Sequence, residues 1–150
     1  MKARQIGELE PLAPCTAGPD ETVMEATRRM VDRGICIVAV IEGTTVKGTL
    51  TVRELLRRVV LEGKDPRTVR LRDVMTPNPV TVGIAEDSHA VLEKMESAGS
   101  CFIPVTDRGR VVATSSARLL LRHEIAGKNE DIRDINERWD YLPPEKGLGG

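Results

Sequence analysis

Residues 14–57 read PCTAGPDETVMEATRRMVDRGICIVAVIEGTTVKGTLTVRELLR, and residues 79–122 read PVTVGIAEDSHAVLEKMESAGSCFIPVTDRGRVVATSSARLLLR. Laid side by side at a constant shift of 65 with no gap, the two segments agree at 14 of 44 positions. The shared positions run their whole length and include Pro14/Pro79, Gly18/Gly83, Glu21/Glu86, Met30/Met95, Gly34/Gly99, Cys36/Cys101, Thr49/Thr114, Arg53/Arg118 and Leu55/Leu120. Unrelated segments of average composition would agree at about three. The chain is an internal duplication, and each copy must specify the same structural unit.

Both copies predict one order of elements. Residues 22–33 carry Val23, Ala26, Thr27 and Met30 at helical spacing, and Gly34 stands at the stop position. Residues 35–41, ICIVAVI, form a continuous apolar run rich in β-branched residues, the pattern of a strand covered on both faces. A turn at 42–45 leads to a strand over 46–50, and Thr51 opens a helix over 51–61. The second copy predicts a helix over 86–98, Gly99, strands over 101–106 and 110–115, and a helix over 116–126. Short Pro-flanked extended segments, 14–17 and 79–82, lead into the units.

Each unit is therefore β-α-β-β-α, too small to enclose a core alone. The fold expected is α/β (α+β-like), two tandem units burying each other's apolar faces about a pseudo-twofold axis. The first repeat spans 8–61 and the second 77–126. A charged linker, 62–76, carries a helical turn at Leu71–Met75. A tail, 127–150, has no counterpart in the first unit and carries a short helix near 131–139.

The chain has 150 residues, enough for one ordinary domain with a sizeable core. Its 22 Lys and Arg against 23 Asp and Glu leave a net charge of −1, without the basic excess of a nucleic-acid binder. Phe102, Trp139 and Tyr141 are its only aromatics, too few for base-stacking platforms. No apolar run reaches the roughly 18 residues of a membrane span, and the N-terminus lacks the apolar stretch of a signal peptide. Three cysteines, Cys15, Cys36 and Cys101, follow no disulfide-scaffold spacing. A reduced, cytoplasmic protein is expected, with no nucleic-acid or membrane partner.

Val74-Met-Thr-Pro-Asn-Pro-Val-Thr-Val82, the Met95 and Gly99 pair, Phe102-Ile-Pro-Val105 and the two-strand-then-helix ending of each copy resemble a CBS domain. This cystathionine-β-synthase-type repeat occurs in tandem pairs called Bateman modules, and the resemblance covers roughly residues 8–126. It implies a regulatory module rather than an enzyme, one that binds an adenine nucleotide (AMP, ADP or ATP) or a related adenosine ligand such as S-adenosylmethionine between its repeats. It also implies a homodimer that signals to a separate effector protein. The family's ribose motif, Gly-h-x-Thr/Ser-x-x-Asp with h apolar, falls on Gly48-Thr-Leu-Thr51-Val-Arg-Glu54, where a longer carboxylate replaces Asp. In the second copy it falls on Ala113-Thr-Ser-Ser116-Ala-Arg-Leu119, where Leu119 cannot accept a hydrogen bond.

The resemblance thus implies a nucleotide-binding set of Thr16, Ile37, Thr51, Arg53, Glu54, Thr81, Ser116 and Arg118. Thr51, Ser116 and Glu54 would hold ribose, and Ile37 lies in the strand whose backbone faces the base. Arg53 and Arg118 would reach phosphate, and Thr16 and Thr81 lie near base and ribose. Each has a plainer reading as well. Thr51 and Glu54 also spell a helix capping box. The arginines suit a solvated first helical turn, and Thr16 and Thr81 suit a strand start. Arg67, Arg70 and Arg72 of the linker are either further phosphate contacts or a solvated run.

Cys36 and Cys101 lie in the apolar strands, where buried structural cysteines are expected. His89 and His123 are the only histidines, and no metal-ligand spacing occurs, so no metal is expected. No catalytic motif is present. Trp139 and Tyr141 would anchor the tail within the homodimer. Two rival readings stand beside the nucleotide sensor: an interaction module without ligand, and a redox or metal sensor using Cys36 and Cys101.

Overall fold

A computed structural model describes residues 14–118, 120 and 121. The expected tail helix, Trp139, Tyr141 and the end of the last predicted helix lie outside the described residues.

The first unit opens with β1 (Thr16–Ala17), which pairs in parallel with β2 (Ile37–Glu42). Between them runs α1 (Val23–Arg33). Thr22 caps its start, exchanging hydrogen bonds with Glu25, and Gly34 ends it in the left-handed conformation that a side chain would resist. Val23, Ala26 and Met30 face inward from this helix, as their spacing predicts. β2 turns back as β3 (Thr45–Thr51), with a bulge between Val40 and Ile41. Next comes α2 (Val52–Leu55), which runs on into a π-helical turn over Leu56–Val60. The predicted continuous helix over 51–61 is thus split between two helical geometries.

The second unit copies the first. β5 (Val82–Gly83) pairs in parallel with β6 (Phe102–Asp107), and α4 (Ser88–Ala98) crosses between them. Asp87 caps α4 through the amides of His89 and Ala90, so the helix starts two residues later than the spacing predicts. β6 turns back as β7 (Arg110–Ser116), with a bulge between Val105 and Thr106 at the duplicated position. Two small side-chain devices are duplicated as well. The Glu21 carboxylate accepts from the Gly18 N–H at 2.6 Å and pairs with Arg29; the Glu86 carboxylate accepts from the Gly83 N–H at 2.6 Å and pairs with Lys94. These contacts account for the identity of Glu21 with Glu86.

Against the expectation that one unit is too small to enclose a core alone, each unit has its own apolar core. Val23, Ala26, Met30, Val38, Val40 and Leu50 build the first, and Val82, Val91, Met95, Ile103, Val105 and Leu120 the second. The connecting segment belongs to the first core. α3 (Leu71–Val74) buries Leu71 and Val74 there, and the Leu71 N–H donates to the Glu21 carbonyl at 2.9 Å. β4 (Thr76–Pro77) then adds an antiparallel strand to β3, making a four-stranded sheet beside the three-stranded one of the second unit.

That extra strand explains a difference between the two copies. A side chain at Gly48 would press on Met75 and approach the Thr76 carbonyl oxygen to 2.8 Å. The equivalent position can be Ala113 because, among the described residues, β7 pairs only with β6.

Candidate functional site

A cavity of about 480 Å³ opens between the two units. Its first wall is the end of β3 and the first turn of α2, with Thr49, Thr51, Val52, Arg53 and Glu54. Its second wall is the C-terminal end of α4 and the start of β6, with Met95, Ala98, Ser100, Phe102, Ile103 and Pro104. Thr76, Asn78, Pro79 and Val80 close it along the connecting segment. Asn78 adopts a left-handed conformation (φ 48°), which Asn tolerates better than most residues, and its N–H donates to the Lys47 carbonyl at 3.3 Å.

Thr51 and Glu54 touch one another on the first wall. The Thr51 N–H donates to the Glu54 carboxylate at 3.2 Å, and the Thr51 hydroxyl donates to the same oxygen, Oε2. Among the described residues the other carboxylate oxygen accepts no hydrogen bond, and a carboxylate can accept several. Arg53 is exposed beside them. Charge on the lining residues is confined to this pair, Arg53 and Glu54.

Other residues singled out in the sequence lie away from this lining. Ile37 is buried in β2, paired in register with Thr51. Thr16 pairs with Ala39 in β1, and its carbonyl accepts from Arg29 at 3.0 Å. Thr81 is half-buried just before β5, and Ser116 ends β7 opposite Phe102. Arg118 is exposed beyond it. Leu119 lies outside the described residues. The linker arginines point elsewhere: Arg70 donates to the Asp20 carbonyl, Arg72 pairs with the Asp20 carboxylate, and Arg67 is exposed outside the lining.

The two repeated cysteines correct the sequence expectation. Cys36 and Cys101 are exposed, and both line the cavity. Each stands just ahead of its central strand, where the chain has not yet entered the sheet. Cys15 is the buried one. The whole second wall was missed as well. Phe102, Ile103 and Pro104 were visible as a motif, but only the packing of one unit against the other turns them toward Thr51. Among the described residues no cluster of three or more His, Cys, Asp or Glu could hold a metal ion, and no helix is long and apolar enough to cross a membrane.

Two copies of one β-α-β-β-α unit, with a cleft between them lined by the end of a strand and the first turn of the following helix, define a tandem-repeat module. The chain belongs to the CBS domain family, whose model matches residues 6–61 and again 71–124. It is 28% identical over 142 residues to the uncharacterized protein MK0525 of Methanopyrus kandleri, covering 91% of this chain and 72% of that protein. It is 30% identical to the meiotically up-regulated gene 70 protein of Schizosaccharomyces pombe, over 90% of this chain but only 18% of that protein.

Among solved structures, the CBS domain NE2398 superposes with a TM-score of 0.76 at 21% identity, covering 83% of this chain and 99% of that one. The CBS pair of MJ0100, in complex with 5′-methylthioadenosine and S-adenosyl-L-methionine, gives 0.73 at 20% identity over 85% and 100%. PAE2072 of Pyrobaculum aerophilum, complexed with AMP, gives 0.70 at 18% identity over 77% and 88%.

Proposed function

We propose that this chain is a regulatory ligand-sensing module that binds an adenosine ligand in the cavity between its repeats and signals to a separate effector protein. The observation that carries the reading is the placement of Thr51, Arg53 and Glu54 together on one wall, opposite the apolar residues of β6. A hydroxyl and a carboxylate three residues apart suit the vicinal hydroxyls of a ribose, the apolar wall suits a base, and Arg53 suits a phosphate. The ligand-bound relatives MJ0100 and PAE2072 support an adenosine class of ligand. Signalling would follow from differential binding: a ligand that prefers one arrangement of the two units shifts the population toward it.

The assembly proposed is a homodimer. Val52, Leu56 and Val60 recur every four residues along the second helix of the first unit and are 41%, 51% and 60% exposed. Such an apolar stripe on a helix calls for a partner surface. Val52 also lines the cavity, so the stripe and the site share a helical turn. Sedimentation of the chain, and of a Leu56→Glu variant expected to be monomeric, tests this.

Thermal unfolding with and without millimolar AMP, ADP, ATP or S-adenosylmethionine tests the ligand reading. A ligand at 100 times its dissociation constant stabilises the native state by about 2.7 kcal/mol. Glu54→Ala should remove the shift while leaving the unliganded protein folded. The hydrogen bond from the Thr51 hydroxyl to Glu54 favours the second reading, a module without ligand, because it already uses the hydroxyl's proton and one carboxylate oxygen. No shift with any of the four compounds would establish that reading instead.

A further inference from the structure

Resting on the reading just proposed, we infer that the cavity selects adenosine ligands carrying at most one phosphate and discriminates against polyphosphates. The inference comes from its inventory of charge. Arg53 is the only cationic residue on the lining among the described residues, and Glu54 lies one residue away with the opposite charge. One guanidinium can grip one phosphate through its planar fork of donors. A second and third phosphate would need further cations, and none is within the lining.

Three arginines of the first unit and the connecting segment are committed elsewhere. Arg58 donates to the Val74 carbonyl at 2.9 Å and to the Thr76 hydroxyl at 3.2 Å, outside the lining. Arg70 and Arg72 are tied to Asp20. The polar groups of the second wall are also engaged. The Ser100 hydroxyl donates to the Phe102 carbonyl at 2.6 Å, and the Gly99 and Ser100 amides close the end of α4 onto the Glu96 and Met95 carbonyls at 3.1 and 3.0 Å.

The field of α4 acts in the same direction. Its C-terminal end, through Ala98, Gly99 and Ser100, forms part of the second wall. A helix C-terminus carries partial negative charge over its last turn, repelling anions and favouring neutral or cationic groups. A chain of phosphates extending from Arg53 toward α4 would meet carbonyl oxygens and apolar side chains. A methylthio or sulfonium group there would meet a compatible surface.

The test is calorimetric titration of the full chain at low salt with 5′-methylthioadenosine, AMP, ADP and ATP, without added magnesium. Affinity should fall at least about tenfold from AMP to ATP, the equivalent of 1.4 kcal/mol. Ala98→Lys places a cation at the α4 end and should narrow that gap, while Arg53→Ala should weaken AMP more than it weakens 5′-methylthioadenosine. ATP binding as tightly as AMP would overturn the inference and leave the ligand-sensing reading standing. An Ala98→Lys protein with an unaltered ratio of AMP to ATP affinity would overturn the role given to α4. Binding by none of the four compounds, together with no thermal shift with S-adenosylmethionine, would overturn the inference and the reading together.

Discussion

The carbonyls of Cys36 and Cys101 accept equivalent hydrogen bonds, from the Val52 N–H at 3.2 Å and the Ala117 N–H at 2.9 Å, and both cysteines line the cavity between the repeats. Each bond ties the entrance of a central strand to the residue that follows its neighbouring strand. The two thiols are therefore reporters placed by the duplication itself. In the native protein Cys36 and Cys101 should react with iodoacetamide, whereas Cys15, with no exposed surface, should react only on unfolding. A bound adenosine ligand should slow the first two. Mass spectrometry of timed labelling distinguishes the three sites.

Gly48 and Ala113 occupy the same position in the two copies, but among the described residues only Gly48 is flanked by a further paired strand, β4. Gly48→Ala should destabilise the fold by about 1–3 kcal/mol, the usual cost of forcing extra atoms into a packed site. Ala113→Gly should act through local backbone entropy and lost packing, without disturbing β4. Urea denaturation of both variants measures the difference.

Thr114 and Ser115 are buried, and their hydroxyls find no hydrogen-bond partner among the described residues. Ser115 stands where the first unit has Leu50, a fully buried core residue. A buried unpaired hydroxyl costs about 1–3 kcal/mol. Ser115→Ala should therefore be stabilising by about 1 kcal/mol, or roughly 2–4 °C in Tm for a chain of this size. A fall in Tm would show that the hydroxyl has a partner within the native protein.

The paired carboxylates make stability depend on acid. Arg29 holds Glu21 below the usual carboxylate range, and Lys94 does the same for Glu86. A depressed carboxylate binds fewer protons folded than unfolded, so its contribution is fully present above the unfolded pKa, near 4.3 for Glu. It is lost as pH falls through the lower folded value. The Glu21→Gln, Glu86→Gln double variant should be less stable at pH 7 and lose less stability below about pH 4.3, as followed by thermal midpoints.

The helices and strands were legible wherever local chemistry is self-sufficient. Thr22 with Glu25 starts α1, Gly34 and Gly99 stop two helices, and the apolar run over 37–40 is buried throughout. The late start of the central strands, two residues past 35 in the first copy and one past 101 in the second, was not legible, because composition places a strand but not its first ladder bond. The π-helical turn at Leu56–Val60 leaves no mark in the side-chain spacing. Of the cavity, Thr51, Arg53 and Glu54 were singled out because one resembled motif spans all three within a single helical turn. Phe102–Pro104 and the end of α4 reach the same space only through packing between units distant in sequence. Leu71 and Val74 read as part of a charged linker, since a single buried turn of helix is too short to show a period.

That connecting segment gives the duplication an unequal partition. With Leu71 and Val74 in the first core and Thr76–Pro77 hydrogen-bonded to β3, the first half of the chain ends structurally after Pro77 rather than where the repeat in sequence ends. A fragment cut at Leu61 would lose a strand and two core side chains at once, whereas one cut after Pro77 keeps them all. Any chimaera that exchanges halves with a relative must therefore carry its own connector along with the first half, or leave β3 with a bare edge.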